Sequence, residues 1–370
     1  MPPKSRARRW ISRVVLLSLA AFVGVAGVTY FRSTNDCPDP RRAAPTAGMK
    51  AVIFCDFGSP DVLRLETIEK PTPTDSQVLV RVRASSINAG DWHAMRGTPY
   101  VARFVMGWRK PSEIRFGTDF AGTVESVGRA VTQFSPGDSV FGGRTGAVAE
   151  YVTVRESRLV PMPANVTFEQ AAAVPVAAIT ALQGIRDHGK VRAGQKVLIN
   201  GASGGVGTFA VQIAKSLGAT VTGVCSSRNV DLVRSIGADY VIDYTATDFT
   251  KAAERYDVII DIVGNHSLSD LKGVLTPTGK YVMIGGPAGN WIAPLPRVAG
   301  AMIRSRLGSH EMRFFIAQLN QPDLMVLHDL MKSGQMTSVI DRVYTLSEVR
   351  KAVAYVETGR ARGKVIVKPD

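Results

Sequence analysis

A short apolar segment, Lys196-Val-Leu-Ile-Asn200, runs directly into Gly201-Ala-Ser-Gly-Gly-Val-Gly207, and a helix-forming stretch from Val206 to Leu217 follows. Strand, glycine turn and helix in immediate succession constrain the fold more than any other feature of the chain. Gly204 and Gly207 fall on the last two glycines of a GxGxxG pattern, with Ala202 at the first and Gly205 and Val206 between them. Glycines at this spacing let the backbone turn sharply and approach a pyrophosphate, whose charge is stabilised by free N–H groups at the helix start. The expectation is a dinucleotide site on a doubly wound parallel sheet.

The surrounding pattern agrees with that reading. A second strand, Thr220 to Val224, is followed by further strands at Tyr240–Asp243, Tyr256–Asp261 and Lys280–Ile284, with helical stretches between them. The end of the second strand selects the cofactor. An Asp or Glu there would accept ribose hydroxyls and repel a 2′-phosphate, but Cys225-Ser-Ser-Arg228 offers hydroxyls from Ser226 and Ser227 and the Arg228 guanidinium. NADPH is expected. Ser227 can also cap the helix that begins near Asn229.

Upstream, Met49 to Val154 has another texture. Gln77-Val-Leu-Val-Arg-Val-Arg83 alternates with the period of a half-exposed strand, and short strands punctuated by Gly and Pro recur at Ala121–Val127, Asp138–Phe141 and Ala149–Val154. These predict a compact antiparallel or barrel-like domain. The texture changes near Glu169, where Gln170 to Gln183 reads as helix interrupted by Pro175, and the final Gly363-Lys-Val-Ile-Val-Lys-Pro369 reads as a strand returning to the first domain.

The N-terminus is distinct. Lys4, Arg6, Arg8, Arg9 and Arg13 precede eighteen uncharged, mainly apolar residues from Val14 to Phe31, closed by Arg32. A helix of that length nearly crosses a hydrocarbon core of roughly 30 Å. A retained single-pass anchor, a cleaved signal peptide with small residues near Ala26, and a start site upstream of the true one at Met49 are the competing readings. Positive-inside counting leaves the basic end in the cytoplasm and the rest across the membrane, whereas NADPH is expected mainly in the cytoplasm. The Arg8-Arg9 pair loosely fits a twin-arginine export signal. Residues 35–48 read as a polar linker.

Charge and cysteine content limit the function classes. Of the net charge of +14, eight Lys/Arg and two Asp in residues 1–48 account for +6, and the remaining +8 is dispersed among acids. That argues against nucleic-acid binding. Cys37, Cys55 and Cys225 are too scattered for a disulfide framework and are read as buried or inert thiols.

From Met49 to Asp370 the chain resembles the medium-chain dehydrogenase/reductase superfamily, within it the quinone oxidoreductase and zeta-crystallin-like branch. The resemblance is carried by Ile87-Asn-Ala-Gly-Asp-Trp-His-Ala-Met-Arg-Gly97, Gly117-Thr-Asp-Phe-Ala-Gly-Thr-Val-Glu-Ser-Val-Gly128, Phe134-Ser-Pro-Gly-Asp-Ser-Val-Phe141, the glycine loop and Gln212-Ile-Ala-Lys-Ser-Leu-Gly218. It implies an α/β chain with a GroES-like β-rich catalytic domain at 49–172, completed by 342–370. A Rossmann NADPH-binding domain would occupy 173–341, after a basic N-terminus, transmembrane helix (about 14–31) and linker at 1–48. It also implies cofactor contacts at Thr180, Ser226, Arg228, Tyr244, Val263, Gly264, Ile284, Gly285 and Phe314, and a homodimer formed through the edge of the second-domain sheet.

In the zinc-dependent branch a Cys and a Gly-His-Glu segment supply metal ligands. The matching places hold Asn88 and Gly117-Thr-Asp119, and the histidines fall in no ligand spacing, so no metal is expected. Without a Lewis acid, hydride delivery to a quinone or an α,β-unsaturated carbonyl is favoured, because it needs only an oriented acceptor and donors for the enolate. Asn88 is the expected donor to the carbonyl, Asp91 and Arg96 a supporting pair, and Tyr100 a proton source or second donor. Each has a purely structural reading as well. The rival functions are a non-catalytic NADPH-binding membrane-associated adaptor and an enoyl-thioester reductase. The segment from Ala288 to Arg313, the least family-like part, is expected to line or cover the pocket and to favour lipophilic acceptors near a bilayer.

Overall fold

In the alternating segment the valines turn inward: Val78, Val80 and Val82 are buried while Arg81 and Arg83 are exposed. The structure is a computed structural model describing residues 37–38, 45–286, 293–307 and 310–370, without the side chains of 306 and 307. The strands of the first half are β1 (Gly48–Phe54), β2 (Leu63–Glu69), β3 (Gln77–Ile87), β4 (Asp119–Val127), β5 (Ser139–Gly143), β6 (Tyr151–Arg155) and β7 (Leu159–Pro161). Helix α1 (Ala89–Arg96) lies between β3 and β4. The inward valines of β3 join Phe120, Val124, Val140, Val152 and Val154 in one apolar cluster. Fully burying a side chain of this size contributes about 1.5–3 kcal/mol.

The predicted interruption at Pro175 is present. A short α2 (Phe168–Ala172) stops, and α3 (Pro175–Leu182) starts with Pro175 in its first turn, where the missing N–H costs no helical bond. A π-helical stretch, Gln183–Gly189, follows. Strand β8 (Lys196–Asn200), α4 (Gly205–Ser216), β9 (Thr220–Cys225), α5 (Val230–Ser235), β10 (Tyr240–Asp243), β11 (Tyr256–Asp261), α6 (Leu268–Gly273), β12 (Leu275–Met283), α7 (Leu295–Leu307), β13 (Glu311–Phe314) and α8 (Gln321–Lys332) complete the second half. Its strands are hydrogen-bonded in the order β10-β9-β8-β11-β12-β13, and every pair is parallel. This is the doubly wound sheet that the glycine turn implied.

The chain then crosses back through β14 (Ile340–Thr345), α9 (Val349–Glu357) and β15 (Lys364–Lys368). Strand β15 pairs antiparallel with β3, so the described barrel sheet runs β14-β15-β3-β4-β5-β7, with β6 also on β3. Its side chains serve two cores: Val365 and Val367 pack with Val52, Ile87 and Phe116, while Ile366 packs with Ile199 and Phe209 of the nucleotide half.

One expectation changes. Cys37 and Cys55 are not inert thiols but a disulfide, their Cα atoms 5.9 Å apart across a separation of 18 residues. Sequence spacing concealed this, because the chain returns to the end of β1 only in three dimensions. Cys225 is free and buried, and burial pushes its thiol up to about 11. Among the described residues no helix is long and apolar enough to cross a membrane, and the predicted span, Val14 to Phe31, lies outside them.

Candidate active site

Strand β8 ends at Asn200 and the chain turns through Gly201, whose φ of +91° is open to glycine and strained for other residues. Gly204 caps α4 in extended conformation. A Cβ on Gly207 would run into the Gly201 carbonyl and lie 2.8 Å from the Ala202 backbone. Loop and helix therefore touch with no room for a side chain, leaving the first N–H groups of α4 directed at a cavity of about 610 Å³. Gly204, Gly205, Val206, Ser226, Arg228, Tyr244 and Val263 line this groove. Such a cradle fits a dinucleotide, with the pyrophosphate against α4.

The other expected cofactor residues are placed less directly. Ala202 is fully buried behind the loop. The Ser227 hydroxyl is 2.9 Å from that of Thr245, and the Arg228 guanidinium donates to the Arg360 carbonyl at 2.7 Å. Arg360, between α9 and β15, also lines the groove. The Thr180 hydroxyl is taken by the Val176 carbonyl at 2.7 Å. Ile284 and Gly285 follow β12, with both N–H groups donating to the Asp261 carbonyl. Gly264 donates its N–H to the Asp261 side chain at 2.8 Å, and the opposite carboxylate oxygen accepts from Tyr281 (2.8 Å) and Arg297 (3.2 Å). Buried Asp261 thus fixes the loop that carries Val263. Phe314 packs on the apolar cluster of Tyr281 and Met283 and does not line the groove.

The second half of the site is a dense polar cluster in the barrel. Asn88 caps α1; its Nδ2 donates to Asp119 at 2.8 Å, and its Oδ1 accepts from Lys364 at 2.5 Å. Asp119 also accepts from the Ser86 hydroxyl (3.0 Å) and the Val176 N–H (3.0 Å), and lies 3.6 Å from the Lys364 ammonium. Asp91 accepts from the Asn88 N–H (2.7 Å) and the Thr118 hydroxyl (2.9 Å). Burial first, and then the nearby Asp119 carboxylate, push Asp91 up to about 6. Burial likewise raises Asp119, against the opposing pull of Lys364, and it lowers Lys364.

Asn88, Asp91 and Thr118 open on a second cavity of about 420 Å³, walled by Phe54, Phe57, Val105, Met106, Phe116 and Val176. Asn88 lines both cavities. Lys364, absent from the expected site residues, is its neighbour in the nucleotide groove. The available signal was a lysine that opens the short apolar strand Lys364-Val-Ile-Val-Lys368 at the end of the chain.

The expected Asp91–Arg96 pair is not formed. Five residues along a helix turn the direction by about 140°, so Asp91 faces the cluster while Arg96 faces α9. Arg96 forms a bidentate ion pair with Glu357, at 2.7 and 2.9 Å. Tyr100 belongs to a single 3₁₀ turn, Tyr100–Ala102, with the Arg103 guanidinium 4.8 Å from its ring centre, and lines neither cavity.

Two family models match the chain, an alcohol dehydrogenase GroES-like domain at residues 74–164 and a zinc-binding dehydrogenase at 236–367. The chain belongs to the medium-chain dehydrogenase/reductase superfamily, in its zinc-free, quinone oxidoreductase-like branch. It is 33% identical to the chloroplastic quinone-oxidoreductase QR1 of Triphysaria versicolor, over 87% of this chain and 98% of that protein. It is also 33% identical to the chloroplastic NADPH-dependent alkenal/one oxidoreductase of Arabidopsis thaliana, over 87% of this chain and 80% of that one. The solved quinone oxidoreductase of Coxiella burnetii superposes with a TM-score of 0.75 at 29% identity, covering 87% of this chain and all of its own.

The zinc in one model's description does not fit these residues. Asp119 accepts from Asn88 and faces the Lys364 ammonium, Asn88 accepts from the same lysine, and Thr118, not a usual zinc ligand, spends its hydroxyl hydrogen on Asp91. Among the described residues no group of three or more His, Cys, Asp or Glu is placed to hold a metal.

Proposed function

We propose that this oxidoreductase uses NADPH to reduce quinones or α,β-unsaturated carbonyl compounds. The observation that carries the reading is Asn88, whose amide forms part of the wall of both the nucleotide groove and the apolar cavity. When bound, the reduced nicotinamide supplies a hydride. The residues of the chain orient the acceptor and handle charge and proton. Lys364 needs an acceptor and Asp119 a donor, so the Asn88 amide has one orientation, with Oδ1 toward the lysine and Nδ2 toward the carboxylate. Its second N–H is left for the carbonyl oxygen on which enolate charge develops. The Thr118 hydroxyl donates to Asp91, whose carboxyl is raised to about 6, so delivery of a proton outward from Asp91 requires that carboxyl to be protonated and this hydrogen bond to reverse.

NADPH rather than NADH is supported by Ser226 and Arg228 in the groove where the adenosine phosphate would lie. We propose the domain division 49–172 with 342–370, and 173–341. Short edge strand β13 is available for a homodimer. A membrane location rests on the composition of residues 14–31, and the Cys37–Cys55 bond favours the oxidising side of that membrane.

The test is turnover of NADPH and NADH with quinones, free enones and enoyl thioesters, in the wild type, Arg228→Ala and Asn88→Ala. The reading requires an NADPH preference that Arg228→Ala loses, and a fall in kcat in Asn88→Ala. Tight NADPH binding without turnover of any acceptor would favour the adaptor, and preference for thioesters would favour the enoyl reductase.

A further inference from the structure

The mouth of the apolar cavity carries an unusual set of exposed side chains. Val105, in the helical turn Arg103–Met106, is 86% exposed, and Trp108 just beyond it is 44% exposed with its ring 4.8 Å from that of Phe104. Arg109 and Lys110 come next, both exposed. Glu113 pairs with Arg115 at 3.3 Å, and Lys110 itself stands 3.8 Å from the exposed Asp56, a loose contact that lipid phosphate can replace. An exposed valine and tryptophan followed by two cations form the pattern that seats a protein at a lipid headgroup boundary, ring at the interface and cations toward phosphates.

A second observation ties that surface to the apolar run of the sequence. Cys55 directly follows β1, between the cavity-lining Phe54 and Phe57, and it is bonded to Cys37. The apolar run of the sequence ends at Phe31, so six peptide links separate it from the sulfur bridge. Fully extended, six links reach roughly 20 Å. Wherever the apolar run is held, the disulfide keeps Cys55 within that reach, two residues from Phe57 of the cavity wall.

We propose that the lip formed by Val105, Trp108, Arg109 and Lys110 docks on an anionic lipid surface, and that the acceptor enters the cavity from the bilayer as a long-tailed quinone or enone. The proposal rests on the reading of this cavity as the acceptor site. It assigns the lip residues to lipid and the cavity wall to the acceptor's ring.

The experiment uses the full chain in vesicles of phosphatidylcholine with and without phosphatidylserine, comparing a long-tailed quinone dissolved in the bilayer with a short water-soluble one. For Trp108→Ser combined with Arg109→Ser, kcat/KM for the bilayer-dissolved quinone should fall by about tenfold or more, with the soluble quinone within about twofold of wild type. Trp108→Phe should restore most of the loss. Equal loss with both quinones, or loss with neither, overturns the proposal. A second readout is independent of turnover. Cys225 is buried and the other two cysteines are bonded, so Trp108→Cys can be labelled selectively with a polarity-sensitive dye. Its emission should shift to the blue in phosphatidylserine vesicles and return partly at high salt. The same blue shift in detergent, growing with protein concentration, would mean that a second copy covers the lip and would also overturn the proposal. If wild type reduces no quinone while the dye still reports lipid, the proposed reaction fails and the docking surface stands.

Discussion

The ammonium of Lys364 lies 3.6 Å from the carboxylate of Asp119, with 2% and 0% of the two side chains exposed. Breaking such a pair leaves an uncompensated charge in a dry site, which costs about 3–5 kcal/mol. Asp119→Asn and Lys364→Met should each lower the free energy of unfolding by that order. The double variant should lose much less than the two single losses combined, and urea unfolding of all four proteins checks it. Additive losses would mean that the two groups are not coupled.

Asp91 gives stability a pH dependence of definite sign. Its carboxyl is raised from 3.8 to about 6 in the folded chain, so between those values the folded state binds more protons than the unfolded one. Its contribution is therefore fully present below about pH 4 and is lost as pH rises through about 6. Asp91→Asn should flatten the unfolding midpoint across that window relative to wild type. A wild-type slope that persists in the variant would place the titration elsewhere.

At the glycine loop, Gly207→Ala sets a methyl group against the Gly201 carbonyl, and backbone cannot yield as a flexible side chain would. We expect about 1–3 kcal/mol of destabilisation and weaker binding of the reduced dinucleotide, read by calorimetry. Gly273→Ala in α6 meets nothing within 4 Å and should instead stabilise by up to about 1 kcal/mol.

Opening the Cys37–Cys55 bond releases a span of 18 residues in the unfolded chain. Thermal unfolding with and without reductant should show a loss of about 3 kcal/mol, and Cys37→Ser should reproduce it without reductant.

What could be read from the sequence followed how local its physics is. The strand, glycine turn and α4 lie within a score of residues, and each constrains the next, so Gly204, Gly205 and Val206 appear in the groove as expected. Asn88 and Asp91 were legible for the same reason, since a cap and its third helical residue are neighbours in the chain. Arg96 was misassigned because its partner Glu357 is 261 residues away and only the packing of α9 brings it near. Lys364 was missed because a lysine in a short strand ordinarily reads as solvated. The disulfide escaped because nothing in the spacing of three cysteines shows that the end of β1 returns to Cys37. Phe314 was placed from resemblance in a divergent stretch, and the pleat of β13 points it away from the groove.

Strand β15 is the last of the described strands to leave the ribosome, and it carries the one cation of the buried cluster. Until it docks, Asp91 and Asp119 have to share the barrel interior without a positive charge, as protonated acids or with water still admitted. The closing strand thus works as a chemical latch: the barrel can dry out around its carboxylates only once β15 has docked. The same event seats Ile366 against the nucleotide half, so completion of one domain and its fastening to the other are a single step of assembly.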